Sequence, residues 1–273
     1  MAKRMRNLRD RTVLITGASS GIGRAIAERA AAQGARIALV ARRQEQLDAV
    51  AERVRALGGE AHVAICDVAD RRAALACVEH AEKILGGVDV AVINAGVGRH
   101  RTLVEHDLED AERLLRVNVL GALYFAHALA PRMLARGEGW MVFMASIAGL
   151  LPVPGEAVYS ASKFALVGLA EALSIELEPT VHVLTVCPGA VRTDFVRDDE
   201  LDRMPDSAQS SAIEPEEVAR ATLDALAEGR TRVIVPGKLG VAVALRGVAP
   251  GLVRSGTARA LAPILKRAKR PPE

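Results

Sequence analysis

Residues 12–34 read TVLITGASSGIGRAIAERAAAQG. The first five are apolar and largely β-branched, which predicts a short strand buried on both faces. The stretch TGASSGIG (16–23) then leads into helix-forming sequence that closes on Gly34, a helix stop. Gly17, Gly21 and Gly23 carry no Cβ. Backbone at such residues can turn tightly and approach a pyrophosphate while the N–H groups of a helix start face its charge. A glycine triplet alone also fits a plain turn. Its place between a strand and a helix, near the chain start, is what points to nucleotide binding.

The same alternation continues outward. ARIALVA (35–41), AHVAICDV (61–68), VDVAVINAG (88–96), GWMVFMAS (139–146), VHVLTVC (181–187) and TRVIV (231–235) read as further strands. Helices are expected over 43–59, where Leu47, Val50, Val54 and Leu57 recur at helical spacing before a glycine pair, and over about 70–85, 108–136, 157–178 and 215–228. Strand followed by helix throughout predicts an α/β fold: a doubly wound parallel sheet of about seven strands with helices on both faces, binding ligands at the carboxyl ends of its strands.

Composition agrees. The 273 residues suit one large domain, and half of them are hydrophobic. Aromatics are only 3%, so the core must be built from Ala, Val, Leu and Ile, which favours parallel strands under Ala-rich helices over an aromatic-rich sandwich. Cys66, Cys77 and Cys187 are odd in number and form no CxxC pair. This argues against a disulfide framework or a zinc site and for a reducing, cytoplasmic setting. The basic start MAKRMRNLRDRT has no apolar run behind it of the kind a signal peptide needs, and no uninterrupted apolar stretch reaches spanning length.

Two boundaries follow. Residues 1–236 are expected to form one domain that includes a polar substrate loop at 194–213; residues 237–273 form a helical, basic extension. That extension carries eight Lys/Arg and one acid, a net +7 that leaves −4 on residues 1–236. It can lie on the inner face of an anionic membrane, apolar side down, or pack its Leu, Val and Ile on the body or a second subunit. Pro250, Pro263 and scattered glycines limit it to short helices. It lacks interleaved aromatics, which argues against single-stranded nucleic acid as a partner.

The second strand ends LVARRQ (39–44). A dinucleotide fold specific for NAD places an acid there to hold the ribose 2′-OH. Here Ala41 stands at that point, followed by Arg42 and Arg43. Guanidinium groups bind a 2′-phosphate that an acid would repel. Solvated arginines at a helix start are the alternative, one the helix dipole disfavours. The expected cofactor is NADP(H) rather than NAD(H).

One further set of residues carries chemistry. The chain has two tyrosines, and one, Tyr159, lies in YSASK (159–163), one helical turn before Lys163 on the same face. A free phenol has a pKa near 10, and a neighbouring cation, helped by an oxidised nicotinamide, is expected to lower it. Ser146, at the end of the fifth strand, can donate to a substrate carbonyl and stabilise the negative charge that develops on it.

With CDV (66–68), NAG (94–96), Asn118 in RVNVLG, Ser146 in MASIAG, and PGAVRTD (188–194), these motifs resemble the short-chain dehydrogenases/reductases over about residues 10–236, in family order and spacing. The resemblance implies a catalytic set of Asn118, Ser146, Tyr159 and Lys163, with Ser146 and Tyr159 also touching substrate. Asn118 would position a water between Lys163 and solvent. It also implies cofactor contacts from Ser19, Ser20 and Ile22 of the glycine turn, from Asp67 and Val68 beside the adenine, and from Asn94, Ala95 and Gly96. Tyr159 and Lys163 would meet the nicotinamide ribose; Pro188, Gly189, Val191 and Thr193 would line the nicotinamide. A homodimer or homotetramer is implied as well.

The activity expected is interconversion of a carbonyl and a secondary alcohol on an apolar or lipid-like substrate, set by the 97–108 and 194–213 loops. An NAD-dependent alcohol dehydrogenase and a redox-sensing regulator that binds the nucleotide without chemistry are the alternatives; the retained Tyr/Lys pair argues against the latter. His62 and His182 read as strand residues, His100 and His106 as solvated loop residues at the substrate mouth. The chemistry needs no metal.

Overall fold

The computed structural model describes residues 4–5, 7–193, 195 and 209–267. Asp194 and residues 196–208 of the expected substrate loop, and 268–273 of the tail, lie outside the described residues.

Seven strands form: β1 (Thr12–Thr16), β2 (Arg36–Ala41), β3 (Glu60–Ile65), β4 (Val90–Ile93), β5 (Gly139–Met144), β6 (Val181–Pro188) and β7 (Arg232–Val235). They pair in the order β3-β2-β1-β4-β5-β6-β7, every pair parallel. The chain reverses its direction of travel at β1 and β4, so a crevice opens there beyond the strand ends. This is the doubly wound Rossmann-type sheet expected.

The alternation of side chains along each strand builds a core on both faces. Val13 and Ile15 point into one cluster and Leu14 into the other. On the first face lie α1 (Gly21–Ala31), α2 (Gln44–Ala56) and α7 (Pro215–Glu228). Alanines let α1 sit close: Ala25, Ala27, Ala30 and Ala31 are all buried. On the other face lie α3 (Arg71–Leu85), α4 (Leu108–Leu115), α5 (Ala122–Arg136) and α6 (Ala157–Glu176). Phe125 and Phe143 are wholly buried there, each contributing about 1.5–3 kcal/mol of transfer free energy.

Helix ends follow local chemistry. Asp70 caps α3 by accepting from Arg72 N and Ala73 N, and Gly86 ends it in the left-handed region. Glu214 and Glu217 form a capping box at α7, with Pro215 at its first turn. The single helix expected over 108–136 is divided. A π-helical segment, Arg116–Gly121, separates α4 from α5. Such widened turns recur at functional sites.

Leu108–Arg136 and Ala157–Glu176 reach the length and hydropathy of a spanning helix. Each nevertheless lays a face on the sheet, through Phe125, Leu129 and Met133 in one and Leu166, Val167 and Ala170 in the other.

Past β7 come three short helices, α8 (Leu239–Val248), α9 (Pro250–Ala260) and α10 (Ala262–Arg267). They touch the body at several points. Leu239 lies against Gly189 and Ile264 against Gly155. Arg246 donates to the Leu150 carbonyl and stacks over Phe164 at 5.0 Å. Val241, Val248 and Leu252 remain exposed.

Candidate active site

The crevice beyond β1 and β4 is fastened by side chains. Thr16 Oγ1 accepts from Asn94 N at 2.9 Å and Ala95 N at 3.0 Å. Asn94 Nδ2 donates back to Thr16 O at 2.9 Å and Gly17 O at 3.3 Å. These bonds satisfy backbone groups that the ladder leaves unpaired at the strand ends. They also fix the glycine turn.

The turn needs its glycines. Gly17 and Gly21 hold φ of +67° and +54°. A Cβ on Gly17 would lie 2.9 Å from Ala95 Cα, and one on Gly21 would lie 2.9 Å from Thr193 Cγ2. Gly23 has a different role from the one expected. It does not line the cavity; its Cβ would lie 2.3 Å from Gly17 O. Its missing Cβ lets the start of α1 pack on the turn.

A cavity of about 720 Å³ runs along the strand ends. At one end are Ala41, Arg42, Arg43, Asp67 and Val68; along its floor Gly17, Ser19, Ser20, Gly21, Ile22 and Asn94, Ala95, Gly96; at the other end Ser146, Tyr159, Lys163 and Pro188, Gly189, Val191, Thr193. The space is at the large end for a small-molecule pocket. A Cβ-free cradle at a helix start, continuous with two arginines and with a phenol-lysine pair, fits an extended dinucleotide. Arg43 Nη2 donates to both Ser19 Oγ and Ser20 Oγ at 3.0 Å, so the guanidinium is held beside the turn. Arg42 is exposed next to it. Asp67 caps its own turn through Ala69 N at 3.1 Å and meets Arg113 at 3.2 Å.

The four expected catalytic side chains gather at the far end. Ser146 Oγ accepts from Ala148 N at 3.1 Å. The Tyr159 ring meets Phe195 edge-on, centroids 5.8 Å apart. Lys163 is buried and its Nζ donates to Met144 O at 2.9 Å, 5.7 Å from the Tyr159 ring centroid. Asn118 sits in the π segment, also buried, and does not line the cavity. Its Oδ1 accepts from Val97 N at 2.8 Å; its Nδ2 donates to Val97 O at 2.9 Å and Ser162 Oγ at 3.0 Å. Asn118 Oδ1 and Lys163 Nζ both face Gly96, at 3.3 and 3.5 Å from where a Cβ would stand.

Electrostatics correct one expectation. In the protein alone the Tyr159 phenol is not lowered; it is pushed above its ordinary value. Desolvation dominates, and the nearby Glu156 carboxylate adds to it, against a hydrogen bond from Ser146. Tyr159 is half-buried and lines the cavity. Lys163 pays the same penalty in the opposite sense. Burial lowers it to about 8, with Cys187 nearby opposing the shift. Burial likewise raises the Cys187 thiol to about 12.

A second correction concerns the loop histidines. His100 is not solvated: its Nδ1 lies 2.6 Å from Glu156 Oε1, and the two side chains are 14% and 15% exposed. His106 is half-buried and its Nδ1 has no hydrogen-bond partner among the described residues. His182 is buried and bonds Arg230 O at 2.9 Å, while His62 pairs with Glu60 on β3. Sequence reasoning also missed Glu156 and Leu261, which line the cavity. Glu156, three residues before Tyr159, was within reach of the motif; Leu261, over 60 residues past Thr193, carried no signal.

Known proteins share this arrangement. A family model described as short chain dehydrogenase matches residues 11–203. The 17-beta-hydroxysteroid dehydrogenase 13 of Mus musculus is 31% identical over 247 residues, covering 89% of this chain and 79% of its own. Ketoacyl reductase HetN of Nostoc is 36% identical over 232 residues, covering 85% and 80%. Among solved structures, a short chain dehydrogenase/reductase from Burkholderia phymatum in complex with NAD superposes with a TM-score of 0.83 at 28% identity, covering 91% of this chain and 96% of that one. A short-chain dehydrogenase from Sphingobium yanoikuyae in complex with NADPH gives 0.77 at 33% identity, covering 90% and 94%. The family match spans both the glycine turn and Tyr159, the solved structures share the fold, and the chain belongs to the short-chain dehydrogenases, oxidoreductases that act on CH–OH groups with a nicotinamide cofactor.

Proposed function

We propose that this protein is an NADP(H)-dependent reductase of an apolar ketone, working in reverse on the matching secondary alcohol. The observation that carries the cofactor choice is the end of β2. Ala41 replaces an acid there, Arg42 and Arg43 line the cavity, and Arg43 is tethered to Ser19 and Ser20. Two guanidinium groups suit a 2′-phosphate and give a bare hydroxyl little.

When bound, the nicotinamide supplies the hydride for reduction. The chain supplies the rest. Tyr159, kept protonated by desolvation, is in the form that donates to a carbonyl oxygen. Ser146 lines the cavity beside the phenol and can also hold that oxygen. Lys163, lowered to about 8, exchanges its proton near neutral pH and can restore the phenol. Asn118 acts through position: it fixes Val97 and Ser162 and faces the space beside Lys163 at Gly96 through which a proton can reach solvent. Apolar walls from Val97, Ile147, Ala148, Val153, Phe195 and Leu261 favour a greasy substrate. Relatives named for hydroxysteroids and ketoacyl groups support that choice. The test is NADPH consumption against ketones of increasing chain length. Turnover that rises with apolar size supports the reading; no consumption with any ketone would favour a nucleotide sensor.

We further propose residues 1–236 as the catalytic domain and 237–273 as an extension that closes one side of its mouth, as Leu261 in the cavity wall supports. The exposed Val241, Val248 and Leu252 beside basic residues support peripheral contact with an anionic membrane. Exposed Leu123 on α5 and Ile175 on α6 support a homodimer or homotetramer.

A further inference from the structure

Among the described residues, the substrate end of the cavity has an apolar wall of Val97, Ile147, Ala148, Val153, Phe195 and Leu261 interrupted by polar side chains. His100, from the segment after β4, and Glu156, immediately before α6, both line it and pair at 2.6 Å. Arg99 on the same wall is already bound to Asp110 at 2.6 and 3.0 Å. Ser211 adds a hydroxyl. A largely buried carboxylate and imidazole cost desolvation that an apolar side chain in the same place would avoid. Glu156 does not recover that cost as a helix cap: it occupies the cap position of α6 but its side chain makes no capping bond. Its negative charge also works against ionisation of Tyr159. Neither folding nor proton transfer accounts for the pair, and it opens onto the space where substrate must lie.

We infer that His100 and Glu156 form a polar subsite that takes a hydroxyl group of an otherwise apolar, uncharged substrate. The inference rests on reading the Tyr159 end as the reaction centre. A hydroxyl can donate to the Glu156 carboxylate, whose oxygens have lone pairs beyond the one facing His100 Nδ1. A carboxylate or phosphate in its place would meet the Glu156 charge.

The test compares 4-hydroxy-4-methylcyclohexanone, whose tertiary hydroxyl cannot be oxidised, with its isostere 4,4-dimethylcyclohexanone. Each is assayed for NADPH-dependent reduction and titrated calorimetrically into the enzyme–NADP+ complex, which cannot reduce it. The wild-type protein is expected to favour the hydroxyketone about ten- to a hundredfold, the worth of a hydrogen bond to a charged group. In Glu156→Leu, and separately in His100→Phe, the ratio should fall to near unity. The ratio within each protein is what is read, so a change in overall rate does not blur it, and NADPH binding by fluorescence confirms that each variant is folded. Equal treatment of the two ketones by the wild-type protein, or a preference that survives both substitutions, overturns the subsite. Preferential binding of the hydroxyketone without reduction of either ketone leaves the subsite standing and removes the reductase reading.

Discussion

Lys163→Met should make the cofactor-free protein more stable at neutral pH relative to wild type than at alkaline pH. Burial lowers Lys163 from 10.5 to about 8. The folded value lies below the unfolded one, so between about pH 8 and 10.5 the unfolded chain holds more protons, and wild-type stability rises with pH in that window. Below pH 8 the ammonium is charged in both states and the full penalty applies. With these two values the linkage relation gives wild type a gain of roughly 2.5 kcal/mol between pH 7 and pH 10 that the methionine variant lacks. The lost bond to Met144 O offsets the comparison by a constant of about 1 kcal/mol and leaves the pH dependence untouched. Urea unfolding of both proteins at pH 7, 8, 9 and 10 measures the gap at each pH. A gap that stays constant from pH 7 to pH 10 would refute the claim that Lys163 carries its charge at a desolvation cost.

Arg42→Ala combined with Arg43→Ala should weaken NADPH by about ten- to a hundredfold and NADH far less, since charge-assisted bonds to the 2′-phosphate are lost; equal losses in fluorescence titrations with the two cofactors would exclude that phosphate contact. Gly96→Ala places a methyl 3.3 Å from Asn118 Oδ1 and 3.5 Å from Lys163 Nζ. It should leave the melting temperature nearly unchanged and cut turnover about tenfold or more by closing the space between them, whereas unchanged turnover would place the proton route elsewhere. A chain ending at Pro236 should lose sedimentation with anionic vesicles at low salt that the full chain shows. Binding that is unchanged by the truncation would reject the tail as a membrane contact.

The parallel sheet was legible because each buried strand is a short β-branched run closed by turn residues, as in TVLIT and VHVLTVC, and because aromatics are too few for another core. At the cofactor end a glycine turn and the residues after a strand end are local features that sequence can mark, but the bond from Arg43 to Ser19, 24 residues away, is not. What escaped were contacts between distant segments and effects of burial. His100 and Glu156 are 56 residues apart and meet only once the sheet orders their loops. Leu261 reaches the cavity at the end of two tail helices that no motif marks. Tyr159 beside Lys163 shows a phenol next to an ammonium in sequence, but not that desolvation outweighs their attraction, and desolvation decides the direction of both shifts. Gly23 fits the triplet pattern equally well whether it faces ligand or helix, and only the 2.3 Å approach to Gly17 O separates the two.

The most direct test of Tyr159 as the proton donor is Tyr159→Phe, assayed for NADPH-dependent ketone reduction and for NADPH binding in the same preparation. The phenylalanine ring keeps the edge-on contact with Phe195 while removing the hydroxyl. Loss of a positioned general acid costs about 100- to 10,000-fold in rate. The account predicts a loss of that order in kcat with NADPH affinity nearly unchanged; reduction that continues at a rate close to wild type would contradict it.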